Sequence, residues 1–143
     1  IAAGLPAYFS AIGLDELRHD VETADVRVAE VAGKLIGFVV VRRKSPSISE
    51  ILWLAVAADE QGRGVGSALI QAIEDDAKTT GPSILEVKTL DASAPSPEYE
   101  ATRHFYESHG FELLETIDPY PGWAAGNPCA IYVSSVGGVE PPD

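Results

Sequence analysis

The segment with the most chemistry in it runs from Leu52 to Leu69, LWLAVAADEQGRGVGSAL. An apolar strand leads into a short polar turn, and Gly62, Gly64 and Gly66 open an amphipathic helix. Glycine at alternate positions lets a bound group approach the backbone, and the first N–H groups of a helix have no partner within it. Together they make an anion site suited to phosphate, to which Arg63 adds a positive charge. Two familiar phosphate loops fit poorly. A Walker A loop places Gly-Lys-Ser/Thr after its second glycine, yet no lysine occurs between Lys44 and Lys78. A dinucleotide fingerprint needs glycine at 62, 64 and 67, and position 67 is Ser, although Glu86 imitates the ribose-binding acid downstream. A nucleotide oxidoreductase and a glycine turn that binds nothing remain as minor alternatives.

The elements that must hold this turn follow from periodicity. Leu14, Leu17, Arg18 and Val21 recur at helical spacing, predicting a short helix behind Gly13. Residues 25–31 and 35–43 read as strands joined by Ala32-Gly33-Lys34, an antiparallel hairpin. A third strand spans about 48–57. The helix opened by the glycines runs over 64–79 and stops at Gly81-Pro82. Residues 83–89 form a fourth strand. Ser96 and Pro97 then start a helix as N-cap and first residue, and Gly110 ends it. Residues 111–117 and 129–135 are the last strands, separated by a Pro/Gly-rich loop over 118–128. The order α-β-β-β-α-β-α-β-β, with a hairpin at the front, predicts a mixed α/β fold that is not purely doubly wound.

Composition narrows the function. The 143 residues suit one domain, expected over 1–135, with VGGVEPPD at 136–143 as a flexible tail. Acids outnumber bases 22 to 10, and the net charge of −12 argues against nucleic-acid and anionic-membrane partners, which need a basic face. The longest apolar run, 51–58, is far short of the roughly 20 residues of a membrane-spanning helix. The N-terminus lacks the basic region of a secretory signal, and one cysteine cannot form an internal disulfide, so a cytoplasmic setting is expected. With Ile first and no Met anywhere, an N-terminal stretch is expected to be missing.

Two stretches carry a family resemblance. Gln61-Gly62-Arg63-Gly64-Val65-Gly66 resembles the Gln/Arg-x-x-Gly-x-Gly/Ala signature of the GNAT superfamily of acyl-CoA N-acyltransferases, and Leu54-Ala55-Val56 fits that family's cofactor strand. Forty residues on, the run from Arg103 to Phe111, with Phe105-Tyr106-Glu107 and Gly110-Phe111, resembles its second signature helix. The resemblance implies a mostly antiparallel central sheet with helices on both faces, splayed between the family's fourth and fifth strands. The family's first strand is expected to be absent from this chain.

The same resemblance implies the chemistry: acetyl transfer from acetyl-CoA to a primary amine, directly, in a ternary complex. Leu54, Ala55 and Val56 would pair their backbone with the pantetheine arm. The amides of Gln61, Gly62, Arg63, Gly64, Val65, Gly66 and Ser67 would hold the pyrophosphate. Tyr106 matches the tyrosine that donates a proton to the departing sulfur. Glu50 stands where some members carry a glutamate base. By strand alternation it should share a face with Leu52 and Leu54, and at ~13 Å from Leu54 it would act through water.

The second-signature helix departs from the pattern, with Tyr99 and Thr102 where the family often has Asn and Ala. An acyl-CoA-binding module without catalysis is the main alternative. The resemblance implies a small-molecule or peptide amine as acceptor, with Tyr120 and Trp123 of the 118–128 loop available to pack on it, and a homodimer is compatible with the family. His104 and His109 read as surface residues, with His109 suited to its helix's negative end. Glu74-Asp75-Asp76 reads as a solvated face and Cys129 as a small buried apolar residue. No spacing of ligands points to a metal.

Overall fold

The computed structural model describes residues 11–136. The elements follow the expected order: α1 (Ala11–Thr23), β1 (Asp25–Val31), β2 (Lys34–Arg43), β3 (Ile48–Val56), α2 (Val65–Thr80), β4 (Ile84–Leu90), α3 (Pro97–Ser108), β5 (Glu112–Ile117) and β6 (Cys129–Ser135). A short 3-10 turn, Ala58–Glu60, lies between β3 and the glycines. Helix α1 starts before Gly13, not behind it, so the glycine is absorbed into the first turn. The hairpin link is also tighter than expected. Lys34 joins β2, leaving Ala32 and Gly33 as a two-residue turn with φ of 53° and 78°, left-handed backbone that matches the twist of the flanking strands.

The six strands form one sheet in the order β1-β2-β3-β4-β6-β5, antiparallel throughout except for the parallel pair β3–β4. Strand β2 is the hydrophobic centre. Its run Ile36 to Val40 is buried apart from Gly37's lack of a side chain, because both faces are covered. On one face Val39, Ile51, Leu85 and Val87 pack against Leu69, Ile70 and Ile73 of α2 and Tyr106 of α3. On the other, Phe38, Val40 and Ala55 pack against Leu17 of α1. Helices therefore lie on both faces, as expected.

Two local features set the position of α2. A Cβ on Gly37 would lie 3.0 Å from Val65 Cγ1 and 3.2 Å from Leu69 Cδ1, so the missing side chain is what lets the first turns of α2 settle on β2. At the far end Gly81, with φ of 110°, donates its N–H to Ala77 O and stops the helix. Val136 donates its N–H to Ser83 O at 2.8 Å and packs against the core. The expected tail over 137–143 and the first ten residues lie outside the described region.

Candidate active site

The sheet opens in its middle. Strands β3 and β4 pair only from Ile48↔Ile84 to Ile51↔Val87, and the remainder of each runs on without the other. This is the splay that the resemblance implies, between the third and fourth strands as counted in this chain. Its cause is visible on the other side of β3: the register with β2 jumps from Val40↔Trp53 to Val41↔Ile51, leaving Leu52 as a bulge that bends the strand. The opening continues into a groove of about 1230 Å³. Its walls include the exposed edge of β3, the glycine turn, α3 and the loop that carries Tyr120 and Trp123.

The bulge also revises one expectation. Glu50 and Leu52 do face the α1 side, but Leu54 turns to the α2–α3 core, while Trp53 joins Leu52 beside Ala55 and Phe38. One extra residue on β3 reverses the alternation beyond it.

At the end of β3, Gln61 folds back so that its side-chain amide donates to Val56 O at 3.2 Å. Gly62 and Gly64 hold φ of 78° and 82°, a left-handed backbone in which a side chain would be strained. Gly64 is the N-cap of α2 and no side chain caps the helix, so the first-turn amides beside the groove have no side-chain partner. Of the residues expected to hold a cofactor, Leu54, Ala55, Val56, Gln61, Gly62, Gly64, Val65, Gly66 and Ser67 line the groove. Arg63 does not. Its exposed guanidinium pairs with Glu60 at 3.6 Å.

Helix α3 forms the opposite wall. Ser96 caps it by accepting from Tyr99 N, and Pro97 follows as the first helical residue. Arg103, buried, donates to Leu90 O at 2.7 Å and ties the helix to the end of β4. The third glycine of the turn serves this packing: a Cβ on Gly66 would stand 3.0 Å from the Phe105 ring. Tyr106 is 5% exposed, between Phe105 and Phe111, each with ring centroids 5.3 Å away in edge contact. Burial pushes its hydroxyl pKa well above the ordinary tyrosine value, so the phenol at the groove wall keeps its proton.

His109 sits half-buried at the C-terminal end of α3, the negative helix end expected for it. Its Nδ1 lies 2.7 Å from Phe105 O, a carbonyl that can only accept, so Nδ1 carries the proton. Nε2 lies 2.8 Å from Ser67 Oγ, joining the end of α3 to the start of α2. Only tertiary proximity makes this link, since the residues are far apart in sequence.

Around Glu50 the opening is charged. Lys88 Nζ stands 3.0 Å from Glu50 and 3.6 Å from Glu86, and Lys44 Nζ stands 3.0 Å from Glu86 and 3.8 Å from Glu50. Lys88 also lies over the Tyr120 ring, 5.5 Å from its centroid. Burial acts to lower the pKa of this ammonium, but hydrogen bonds to Tyr120 and Glu50 outweigh it and hold the group charged. Sequence reasoning missed Lys88. Alternation in ILEVKTL places it with Glu86, but the register that adds Glu50 comes from strand pairing alone. It also missed Asp20, which accepts from Trp53 Nε1 at 2.7 Å and from Arg42 at 3.1 Å on the α1 side of the groove.

Tyr120 and Trp123 stack with centroids 5.3 Å apart and line the same side. Cys129 is fully buried and His104 is exposed near Glu100. Asp76, within the expected solvated face, is held by Arg27. Among the described residues no cluster of three or more His, Cys, Asp or Glu is arranged to hold a metal, and no helix is long and apolar enough to cross a membrane.

A chain with this opening has close relatives in shape. It superposes on a GNAT family acetyltransferase from Elizabethkingia anophelis solved with acetyl-CoA bound, with a TM-score of 0.71 and 18% identity over 88% of this chain and 85% of that one. The aminoglycoside 6'-N-acetyltransferase from Enterococcus faecium gives a TM-score of 0.74 and 16% identity over 99% and 90%. These likenesses establish the fold. In sequence, 71 residues are 43% identical to the L-2,4-diaminobutyric acid acetyltransferase of Nocardia farcinica (strain IFM 10152), covering 48% of this chain and 36% of that protein. The match thus spans little more than a third of the relative's length. The family model for the acetyltransferase (GNAT) domain matches residues 22–113, from the end of α1 into β5, and with it both signature segments. The chain belongs to the GNAT acetyltransferase family.

Proposed function

We propose that this protein is an N-acetyltransferase that moves the acetyl group of acetyl-CoA directly to the primary amine of a small molecule. The observation that carries the reading is the opening between β3 and β4, flanked by an uncapped helix N-terminus at one end and a protonated tyrosine in its wall. The donor set fits a CoA thioester. An unpaired strand edge suits the amide-bearing pantetheine arm, and glycine-exposed amides suit a pyrophosphate. Acetyl-CoA would supply an activated acetyl group, with the CoA sulfur leaving as a thiol.

In this reading the backbone of Leu54, Ala55 and Val56 aligns the arm, and one of their N–H groups polarises the acyl carbonyl. The turn from Gln61 to Ser67 holds the phosphates through backbone, so Arg63 is dispensable. Tyr106 gives its proton to the leaving sulfur as the amine nitrogen bonds to the acyl carbon and the carbon–sulfur bond breaks. Glu50, ion-paired with Lys88, takes the proton of the attacking amine through water. The amine enters from the α1 side, between Asp20, Trp53, Tyr120 and Trp123, where the acids favour a cation. The acceptors named for the diaminobutyric acid and aminoglycoside enzymes, both small amines, support this substrate class.

The engagement of Glu50 by two lysines favours one rival, a CoA-binding module without turnover. Protein mixed with acetyl-CoA, an amine panel and a thiol reagent separates the two. Free CoA should appear, and Tyr106→Phe should lose activity on the order of 10²-fold with its fold intact. Thermal stabilisation by acetyl-CoA without CoA release for any amine would support the binding module. Full activity in Tyr106→Phe would remove the tyrosine from the mechanism.

A further inference from the structure

We propose that Thr89 is a contact residue for the acyl-thioester end of the cosubstrate, a role that rests on acetyl-CoA occupying the groove. Thr89 lies on β4 two residues past Val87, where the last pair with β3 is made, and lines the opening. On its other side the strand pairs with β6, Thr89 facing Ala130. Alternation with Leu85 and Val87 turns its side chain to the face where Tyr106 packs. The residue is 4% exposed, and among the described residues its Oγ1 is the buried side-chain oxygen or nitrogen left without a hydrogen-bond partner.

A buried hydroxyl without a partner is unfavourable, and packing alone would be served as well by valine, which has nearly the same shape. The hydroxyl is therefore explained by a ligand rather than by the fold. A thioester at the splay presents a carbonyl oxygen, an acceptor that a threonine hydroxyl can satisfy by donating. Thr89 and Tyr106 would then address the two polar atoms of the thioester, the hydroxyl its oxygen and the phenol its sulfur.

The test compares Thr89→Val and Thr89→Ser with the parent protein. Calorimetry would use acetyl-CoA and adenosine 3',5'-bisphosphate, the latter reporting only on the phosphate end of the groove, with melting of the free proteins followed in parallel. Thr89→Val should melt at or above the parent temperature, because no internal hydrogen bond is lost. It should bind acetyl-CoA roughly five- to tenfold more weakly, the worth of one neutral hydrogen bond, and bind the bisphosphate unchanged. Thr89→Ser should keep acetyl-CoA affinity. Unaltered acetyl-CoA binding, or equal weakening of both ligands, would overturn the proposal. If the parent protein binds the bisphosphate but not acetyl-CoA, the cosubstrate reading itself fails, an outcome distinct from a silent Thr89→Val.

Discussion

At the scale of single residues, burial sets the chemistry of the hydroxyl and thiol groups around the opening. Tyr106 and Cys129 carry no charge at neutral pH, and the interior raises the pKa of both, that of the Cys129 thiol to about 11. The cysteine value is pushed up first by burial, with nearby carboxylates adding to it and Lys88 opposing. Between about pH 9 and 11 the unfolded chain releases the thiol proton while the folded protein keeps it. The folded state then holds more protons, so stability falls as pH rises. Stability from this group is complete below pH 9 and is lost on approach to 11. Urea midpoints should decline across that window, and Cys129→Ala should flatten the decline while costing roughly 1 kcal/mol at neutral pH through lost packing. A slope unchanged by the substitution would refute the assignment. Neither shift was legible in the sequence, which identified Tyr106 by its motif and Cys129 by its apolar strand. How deeply each sits depends on α3 packing against the sheet and on β6 lying between β4 and β5.

At the scale of elements, sequence signals and structure agree closely where the signal is local. Ser96, Pro97, Gly64 and Gly81 terminate their helices as capping chemistry dictates, and residues 25–31 and 129–135 are strands at the expected limits. The glycines divide their labour in a way that spacing alone did not reveal. Gly62 and Gly64 are needed for left-handed backbone, whereas Gly66 is needed because the Phe105 ring sits against it. Gly66→Ala should therefore destabilise the protein by ~1–3 kcal/mol, as overpacked sites do. Adding Phe105→Leu should recover much of that loss by making room. Thermal unfolding of the single and double variants checks this, and additive losses would show that the ring is not the obstacle. The Leu52 bulge is the main feature of the elements that alternation missed. It inserts one residue opposite β2, and nothing in ILWLAV marks which residue that is.

At the scale of the whole molecule, a chain of net charge −12 is proposed to take a polyanionic cosubstrate. On that proposal the long-range field opposes the approach, and the attraction comes from backbone amides at short range. Salt should then screen repulsion rather than attraction, so acetyl-CoA association should quicken between about 20 and 150 mM ionic strength, where the Debye length shortens to ~8 Å. Stopped-flow binding measures this. A rate that falls steeply with salt would mean that cationic side chains capture the phosphates after all. The same acidity favours cationic amines on the α1 side, where Asp20 and Glu16 line the groove. The sequence by itself determined the order of the elements, the glycine turn and the two signature segments, because these depend on neighbours a few positions apart. Only the tertiary structure decided where the sheet opens, that Lys88 meets Glu50, that His109 meets Ser67, and that Thr89 is left without a partner. Those outcomes rest on the pairing and bending of strands distant in the chain, which no local pattern encodes.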